Sequence, residues 1–287
     1  MPSANGFLEH YSTGGQCAGR HWQSAERDDT IGIMTADPTL AAFSSNGSGN
    51  NARIGVLLSH GFTGSPASVA GWARYLADYG FAVRLPLLAG HGTTWQELAR
   101  TPWERWYEGI DTAYQDLARN TDAVVVAGLS MGGALALRLA ALEPVAGVVV
   151  VNPGLTMGDP RARYAGVLKY LLRSVPSIGN DIRKEGMDER AYPRTPVAAV
   201  HQLAQLFRDT TDRLPQVTAP TLVFRSNVDR IVPESSLEVL QRRIGSAHLE
   251  VIRLENSYHV ATMDHDQELI FERSAAFIEH VTAGTTA

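Results

Sequence analysis

The pentapeptide Gly128-Leu129-Ser130-Met131-Gly132 sets a serine hydroxyl between two glycines. A serine hydroxyl is a poor nucleophile until a base takes its proton. It must also be lifted to where a substrate can reach it. A strand running into G-x-S-x-G and on into a helix does this, because the turn is so sharp that a Cβ on either flanking glycine would clash. The chain has that layout. Ala123-Val124-Val125-Val126-Ala127 is short, apolar and β-branched, which marks a buried strand. Gly133 to Leu142 is rich in Ala and Leu, both strong helix formers. A bare G-x-S-x-G arises by chance in roughly one chain in ten of this length, so the flanks carry as much weight as the motif.

The base and its orienting acid must come from elsewhere. In this arrangement the chain order is serine, then Asp or Glu, then histidine. That order sets aside His10, His21, His60, His91 and His201 and leaves His248, His259, His265 and His280. His248 leads straight into a strand, and His265 and His280 fall within the last helix. His259 lies in Glu255-Asn256-Ser257-Tyr258-His259-Val260, a loop after the final strand and on the same sheet edge as the serine. It is the candidate base; the alternative is an inert loop histidine. The acid belongs after the preceding strand, where Asn227-Val228-Asp229-Arg230 follows Thr221 to Ser226. Asp229 is the candidate, and a capping or turn aspartate is its alternative. Its work would be to accept from one imidazole nitrogen and stabilise the imidazolium that forms.

The tetrahedral intermediate of such a reaction needs donors for its negative oxygen. Ser59-His60-Gly61-Phe62-Thr63-Gly64 follows the first long strand, where a His-Gly-x-x-Gly loop supplies one donor. The candidate donors are the backbone N–H groups of Phe62 and Met131. His60 reads as a brace for this loop, and Gly90-His91-Gly92 as a structural turn. Phe62, Leu129, Met131, Leu168, Leu171 and Ile178 are candidates for an apolar acyl pocket, or equally for packing.

Strands and helices alternate around these loops. Strands are expected at Arg53 to Ser59, Phe81 to Leu85, Ala123 to Ala127, Val145 to Val151, Thr221 to Arg225 and Leu249 to Leu254. Helices are expected at Pro66 to Tyr79, Pro102 to Arg119, Thr195 to Asp209, Pro233 to Ile244 and Asp264 to Val281. The alternation implies an α/β fold: a mostly parallel sheet covered on both faces by helices. Between Val151 and Thr221 no strand is obvious, and residues 153–194 read as a cap inserted above the sheet. The core is then 34–152 and 195–287. Residues 1–33 read as a disordered extension, Met34 as a candidate natural start, and Ser44 to Asn51 as a flexible loop or hairpin tip.

The 287 residues, 44% hydrophobic and 19% charged with a net charge of −5, suit one large α/β domain. No basic block supports nucleic acid binding. The longest apolar run, Val145 to Val151, is too short to span a bilayer, so no stable membrane insertion is expected, only transient contact with a lipid surface. No secretory signal is evident. The single cysteine, Cys17, allows no intrachain disulfide, and the cytoplasm is the default location. No residue cluster has metal-ligand spacing and no nucleotide loop is present, so no metal or cofactor is expected.

With these residues in view the chain resembles the serine hydrolases of the α/β-hydrolase fold, and among them the bacterial monoacylglycerol lipases and small carboxylesterases. The resemblance runs from about Ile54 to His280. It rests on His60-Gly61-Phe62-Thr63-Gly64, Gly90-His91-Gly92-Thr93, Gly128 to Gly133, and Asn256-Ser257-Tyr258-His259-Val260-Ala261-Thr262. It implies an eight-stranded sheet, a small cap, no cofactor, and hydrolysis of monoacylglycerols and related short-to-medium-chain esters through an acyl-enzyme. It also implies that Ile178 and Glu189 border the glycerol end of the substrate; for Glu189 the alternative is a solvated cap charge. The departures are the N-terminal extension, which changes little in this reading, and Arg161-Ala162-Arg163 at the start of the cap, which bears on substrate preference. The same three catalytic groups could serve a thioesterase, an amidase, a C–C hydrolase or an acyltransferase. A remoter alternative is a non-catalytic ligand-binding member of the fold. A monomer or a homodimer would suit either.

Overall fold

The computed structural model describes residues 40–177 and 179–283. The expected extension 1–33, Met34 and Ile178 lie outside the described residues. In chain order the elements are β1 (Phe43–Ser45), β2 (Ile54–Ser59), α1 (Ala70–Asp78), β3 (Ala82–Leu85), α2 (Trp95–Leu98), α3 (Trp103–Asn120), β4 (Ala123–Leu129), α4 (Met131–Ala140) and β5 (Gly147–Val151). There follow α5 (Ala165–Leu168), β6 (Ser174–Pro176), β7 (Arg194–Pro196), α6 (Val197–Arg213), β8 (Thr221–Ser226), α7 (Ser235–Arg243), β9 (Leu249–Leu254) and α8 (Gln267–Thr282).

Among the described residues the main sheet has seven strands in the order β1-β3-β2-β4-β5-β8-β9. All pairs are parallel except β1 with β3. The central strands read as apolar runs because helices cover both of their faces. Successive side chains feed opposite sides of the sheet. Val126 and Val148 pack with Trp106 of α3, Leu135 of α4 and Leu206 of α6. Val125 and Val149 pack with Trp72 of α1 and Ile270 of α8. This is the α/β architecture that the alternation of elements implies.

The differences from expectation have local causes. Ser44 and Ser45, read as loop, join Phe43 in β1 and pair antiparallel with β3; three residues with one apolar side chain carry no periodic signal. β6 and β7, in the stretch read as strand-free, form an antiparallel pair of three residues each with a proline in both, and proline argues against strand on propensity. The last helix starts at Gln267 rather than Asp264, because the Asp264 backbone is extended, with φ −108° and ψ −169°, while its carboxylate accepts from backbone N–H groups of the surrounding loops. The resemblance implied eight strands; the described residues place seven in the main sheet.

The turn from β4 into α4 is the tightest feature of the fold. Ser130 has φ 57° and ψ −117°, a region that costs a non-glycine residue about 1–3 kcal/mol. Its neighbours leave no slack. A Cβ on Gly128 would run into the Gly132 carbonyl, and one on Gly132 into the carbonyls of Ser59 and His60. The helix behind it is clamped as well: Arg138 of α4 reaches Asp209 of α6 at 2.7 Å and lies 3.9 Å over the Tyr107 ring of α3. Gly132→Ala should therefore lower stability by about 3 kcal/mol or more through overpacking. Urea unfolding followed by circular dichroism measures it; an unchanged midpoint would dismiss the close approach.

Candidate active site

The β4–α4 turn presents Ser130 at the carboxyl end of the sheet. Its N–H donates to Val151 O at 3.0 Å, and its carbonyl accepts from Gly154 N at 3.1 Å. Met131 is the first residue of α4, and a first-turn amide has no intrahelical acceptor. Phe62 stands in the loop after β2, where a Cβ on Gly61 would lie 3.6 Å from Ser130 Cβ. The amides of Phe62 and Met131 thus belong to the two backbone segments that flank Ser130. The Phe62 ring packs 5.9 Å from Trp106. Leu129 and Met131 are buried in the core on opposite faces of the sheet, and Leu171 is 83% exposed.

The loops after β8 and β9 bring Asp229 and His259 together. His259 Nδ1 lies 3.0 Å from Asp229 Oδ2, with the Asp229 side chain fully buried. A carboxylate can only accept, so Nδ1 carries the proton and Nε2 keeps its lone pair. Asp229 Oδ1 accepts from the amides of Ile231 and Val232, each at 2.9 Å. Burial works to raise the Asp229 pKa; the His259 ring, the Val232 amide and the Arg225 guanidinium outweigh it and hold the carboxyl below its ordinary value. Among the described residues no hydrogen bond joins the Ser130 hydroxyl to the His259 ring.

Three buried polar residues, none singled out by the sequence reading, fix these loops. Asn152, directly after β5, donates from Nδ2 to His259 O at 2.8 Å and to Ser226 Oγ at 2.9 Å, and accepts from Ser226 N at 2.9 Å. Two residues on, Gly154 holds Ser130, so one short segment anchors both the serine and the histidine. Asp181 Oδ2 accepts from His259 N and from Arg230 N, both at 3.2 Å, while its Oδ1 pairs with Arg230 Nη1 at 2.9 Å. Asp264 accepts from the amides of Arg183, Lys184, Tyr258 and His265. The signal for Asn152 was present: an asparagine just past a central strand tolerates the positive φ of 45° found there. Asp181 and Asp264 had no such signal.

Glu189 enters the same region from the excursion between β5 and α6. Its Oε1 accepts from Asn180 N at 2.6 Å, and Asn180 Oδ1 accepts from Glu189 N at 2.9 Å. A Cβ on Gly64 would lie 3.9 Å from Glu189 Oε2, which sets the carboxylate beside the His-Gly-x-x-Gly loop. Burial raises its pKa, opposed by the Asn180 amide and by the nearby His259. The excursion is tied down a second time by Tyr192, whose hydroxyl donates to Gly90 O at 2.8 Å and whose amide donates to Thr63 O at 3.0 Å.

His60 and His91 sit beneath the Phe62 loop. His60 Nε2 accepts from Leu88 N at 3.2 Å, so its Nδ1 donates to Gly61 O at 3.0 Å. The two rings meet edge to face at 5.1 Å, and His91 meets Trp106 at 5.7 Å. Burial lowers the His60 pKa to about 4. Burial, with the neighbouring His60, lowers that of His91 to about 3. Both rings are neutral struts.

The family model described as serine aminopeptidase, S33, matches residues 50–266. Over 228 residues the chain is 40% identical to a thermostable monoacylglycerol lipase from Bacillus sp. (strain H-257), covering 79% of this chain and 91% of that protein. It is 27% identical over 225 residues to a carboxylesterase from Bacillus subtilis (strain 168), covering 78% and 92% respectively. A solved structure from work on LipS and LipT, two metagenome-derived lipolytic enzymes, is 42% identical with a TM-score of 0.81, covering 85% of this chain and 98% of that one.

The two buried imidazoles carry a pH signature. Both stay neutral in the folded protein well below 6.5, whereas in the unfolded chain they take up protons there. Their contribution is complete above that value and is lost as the pH falls through it. Below it stability should drop by about 1.4 kcal/mol per pH unit for each ring. Urea midpoints measured between pH 7 and pH 5 should follow that slope, and His91→Phe should roughly halve it. A midpoint independent of pH across the window would contradict the account.

Proposed function

The chain belongs to the serine aminopeptidase S33 family, and on that premise we propose that it hydrolyses carboxylic esters in two steps, with short-to-medium-chain monoacylglycerols as the substrate class. The observation that carries the reading is the buried His259–Asp229 pair, with its free Nε2 lone pair, in a loop anchored by the same segment that holds Ser130. Ser130 attacks the ester carbonyl as His259 Nε2 takes its proton. Asp229 accepts from Nδ1 and stabilises the imidazolium. The negative oxygen lies between the amides of Phe62 and Met131, where losing one donor costs about 3–4 kcal/mol of transition-state stabilisation. His259 then protonates the leaving alcohol. Water, activated by the same ring, releases the fatty acid from Ser130.

Residues 153–194 act as the cap in this reading. Glu189, held beside His259 by the Asn180 amide, accepts hydrogen bonds from the glycerol hydroxyls. Ile178, outside the described residues, is proposed to line the same end. Support for the monoacylglycerol class comes from the relative of that name. Val167, Tyr170 and Leu171 on the excursion are exposed apolar side chains, which supports transient contact with a lipid surface. No helix among the described residues is long and apolar enough to cross a membrane. The single cysteine suits a reducing compartment, and the cytoplasm is the proposed location.

Ser130→Ala should cut turnover of a p-nitrophenyl ester by about 10⁴-fold or more while the protein stays folded. It should also abolish labelling by a fluorophosphonate; retained activity would remove Ser130 from the mechanism. Glu189→Gln keeps an acceptor but removes the charge, so KM for a monoacylglycerol should rise about tenfold with little change for a p-nitrophenyl ester. Equal effects on both substrates would argue against a head-group role.

A further inference from the structure

Arg225 stands out in β8 as a charged residue inside a buried strand, 3% exposed. Its three donor nitrogens are all used. Nη1 donates to Asp229 Oδ2 at 2.8 Å, Nε to Glu234 Oε2 at 3.1 Å, and Nη2 to Val232 O at 2.7 Å. Asp229 Oδ2 is the oxygen that also accepts from His259 Nδ1. One carboxylate oxygen therefore serves two cations whenever His259 is protonated.

We propose that Arg225 is a positioning residue that depresses the proton affinity of His259 by sharing Asp229 Oδ2 with it, and that Glu234 sets the strength of this effect by drawing the guanidinium charge the other way. The inference rests on the proposed ester hydrolysis for its catalytic meaning. The charge balance around the pair supports it. Beyond the guanidinium, Glu234 is shared with Arg253 of β9. Across the His259 loop, the excursion contributes Glu189, which interacts with the ring, and Asp181, which is neutralised by Arg230. Arg230 itself lies 3.8 Å over the Tyr258 ring. Asp264 is committed to backbone amides. Among the described residues Arg225 is the cation hydrogen-bonded to the Asp229 carboxylate. A carboxylate already paired with a guanidinium gives an imidazolium less stabilisation than an unpaired one.

A purely structural Arg225 would hold the Val232 carbonyl and change stability, but would leave the titration of His259 where it is. The test compares wild type, Arg225→Met, Arg225→Lys and Glu234→Gln. Two readouts are taken: the His259 ring titration by NMR, and the acid limb of kcat/KM on p-nitrophenyl butyrate. Arg225→Met should raise both by about one pH unit. Arg225→Lys, which keeps the charge, should restore them toward wild type. Glu234→Gln should shift them the opposite way, to lower pH. An Arg225→Met titration equal to wild type, or Met and Gln variants moving in the same direction, overturns the proposal. Should Arg225→Met fail to fold, the decision passes to Glu234→Gln, where an unmoved titration overturns it. The NMR readout needs no turnover. An inert wild type with shifted titrations defeats the proposed hydrolysis alone, whereas an active wild type with unmoved titrations defeats this inference alone.

Discussion

The close approach of backbone at Gly128 and Gly132 is the constraint on which the site depends. Glycine at 132 lets the first turn of α4 lie against the Ser59 and His60 carbonyls at the end of β2. That contact joins the β4–α4 turn to the loop carrying Phe62, so the two candidate oxyanion donors come from segments already touching. Between the two glycines Ser130 adopts a positive φ. Strain of this kind persists where the surroundings over-determine it. Here the Ser130 amide is fixed to Val151 and its carbonyl to Gly154 and Ala134. The serine is raised by the sheet and helix on either side of it.

A second requirement follows from placing the site on loops. Loop backbone that packs against the sheet has donors and acceptors that no ladder satisfies. Asn152, Asp181 and Asp264 supply the missing partners by bridging chain segments far apart in sequence, while Asp229 takes the nearby amides of Ile231 and Val232 and reaches across to the His259 ring. Asp181 is the most economical of them. One carboxylate holds the amides of Arg230 and His259, so the segments on either side of the Asp229–His259 hydrogen bond share a strut. Its own carbonyl accepts from Val260 N at 3.1 Å. Fully satisfied buried networks select a single geometry, since any shift leaves a polar group unpaired at a cost of about 1–3 kcal/mol.

Two carboxylates that interact with the His259 ring, Asp229 and Glu189, live in opposite environments. Asp229 has four nitrogen donors around it and is held below its ordinary pKa despite burial. Glu189 has one amide on its carboxylate, and burial pushes it the other way. Divergent environments of this kind assign different work to chemically similar groups. A carboxylate kept charged suits the stabilisation of an imidazolium. One poorly compensated by protein donors suits partnership with hydroxyl groups that arrive with a ligand. The buried Arg225–Asp229 pair would be expensive as a bare ion pair. The Val232 carbonyl, Glu234 and the two loop amides complete its hydrogen bonding and offset that expense.

What could be read from the sequence, and what could not, divides along physical lines. Parallel strands buried on both faces announce themselves as apolar runs, and β2, β4, β5, β8 and β9 were placed to within a residue or two. The pairing of Asp229 with His259 was legible because chain order and loop position narrow the choice before any geometry is known. β1 and the β6–β7 pair were not, since an edge strand of three residues owes its existence to its partner and not to its own pattern. The struts were hidden for a related reason. Asp181 and Asp264 look like ordinary loop aspartates, and Arg225 like one polar residue in an apolar run. Their meaning is carried by amides and carboxylates distant in sequence, as with Asp181 and His259. Sequence spacing encodes elements that stabilise themselves. It is silent about polar groups whose burial becomes affordable only after those elements have come together.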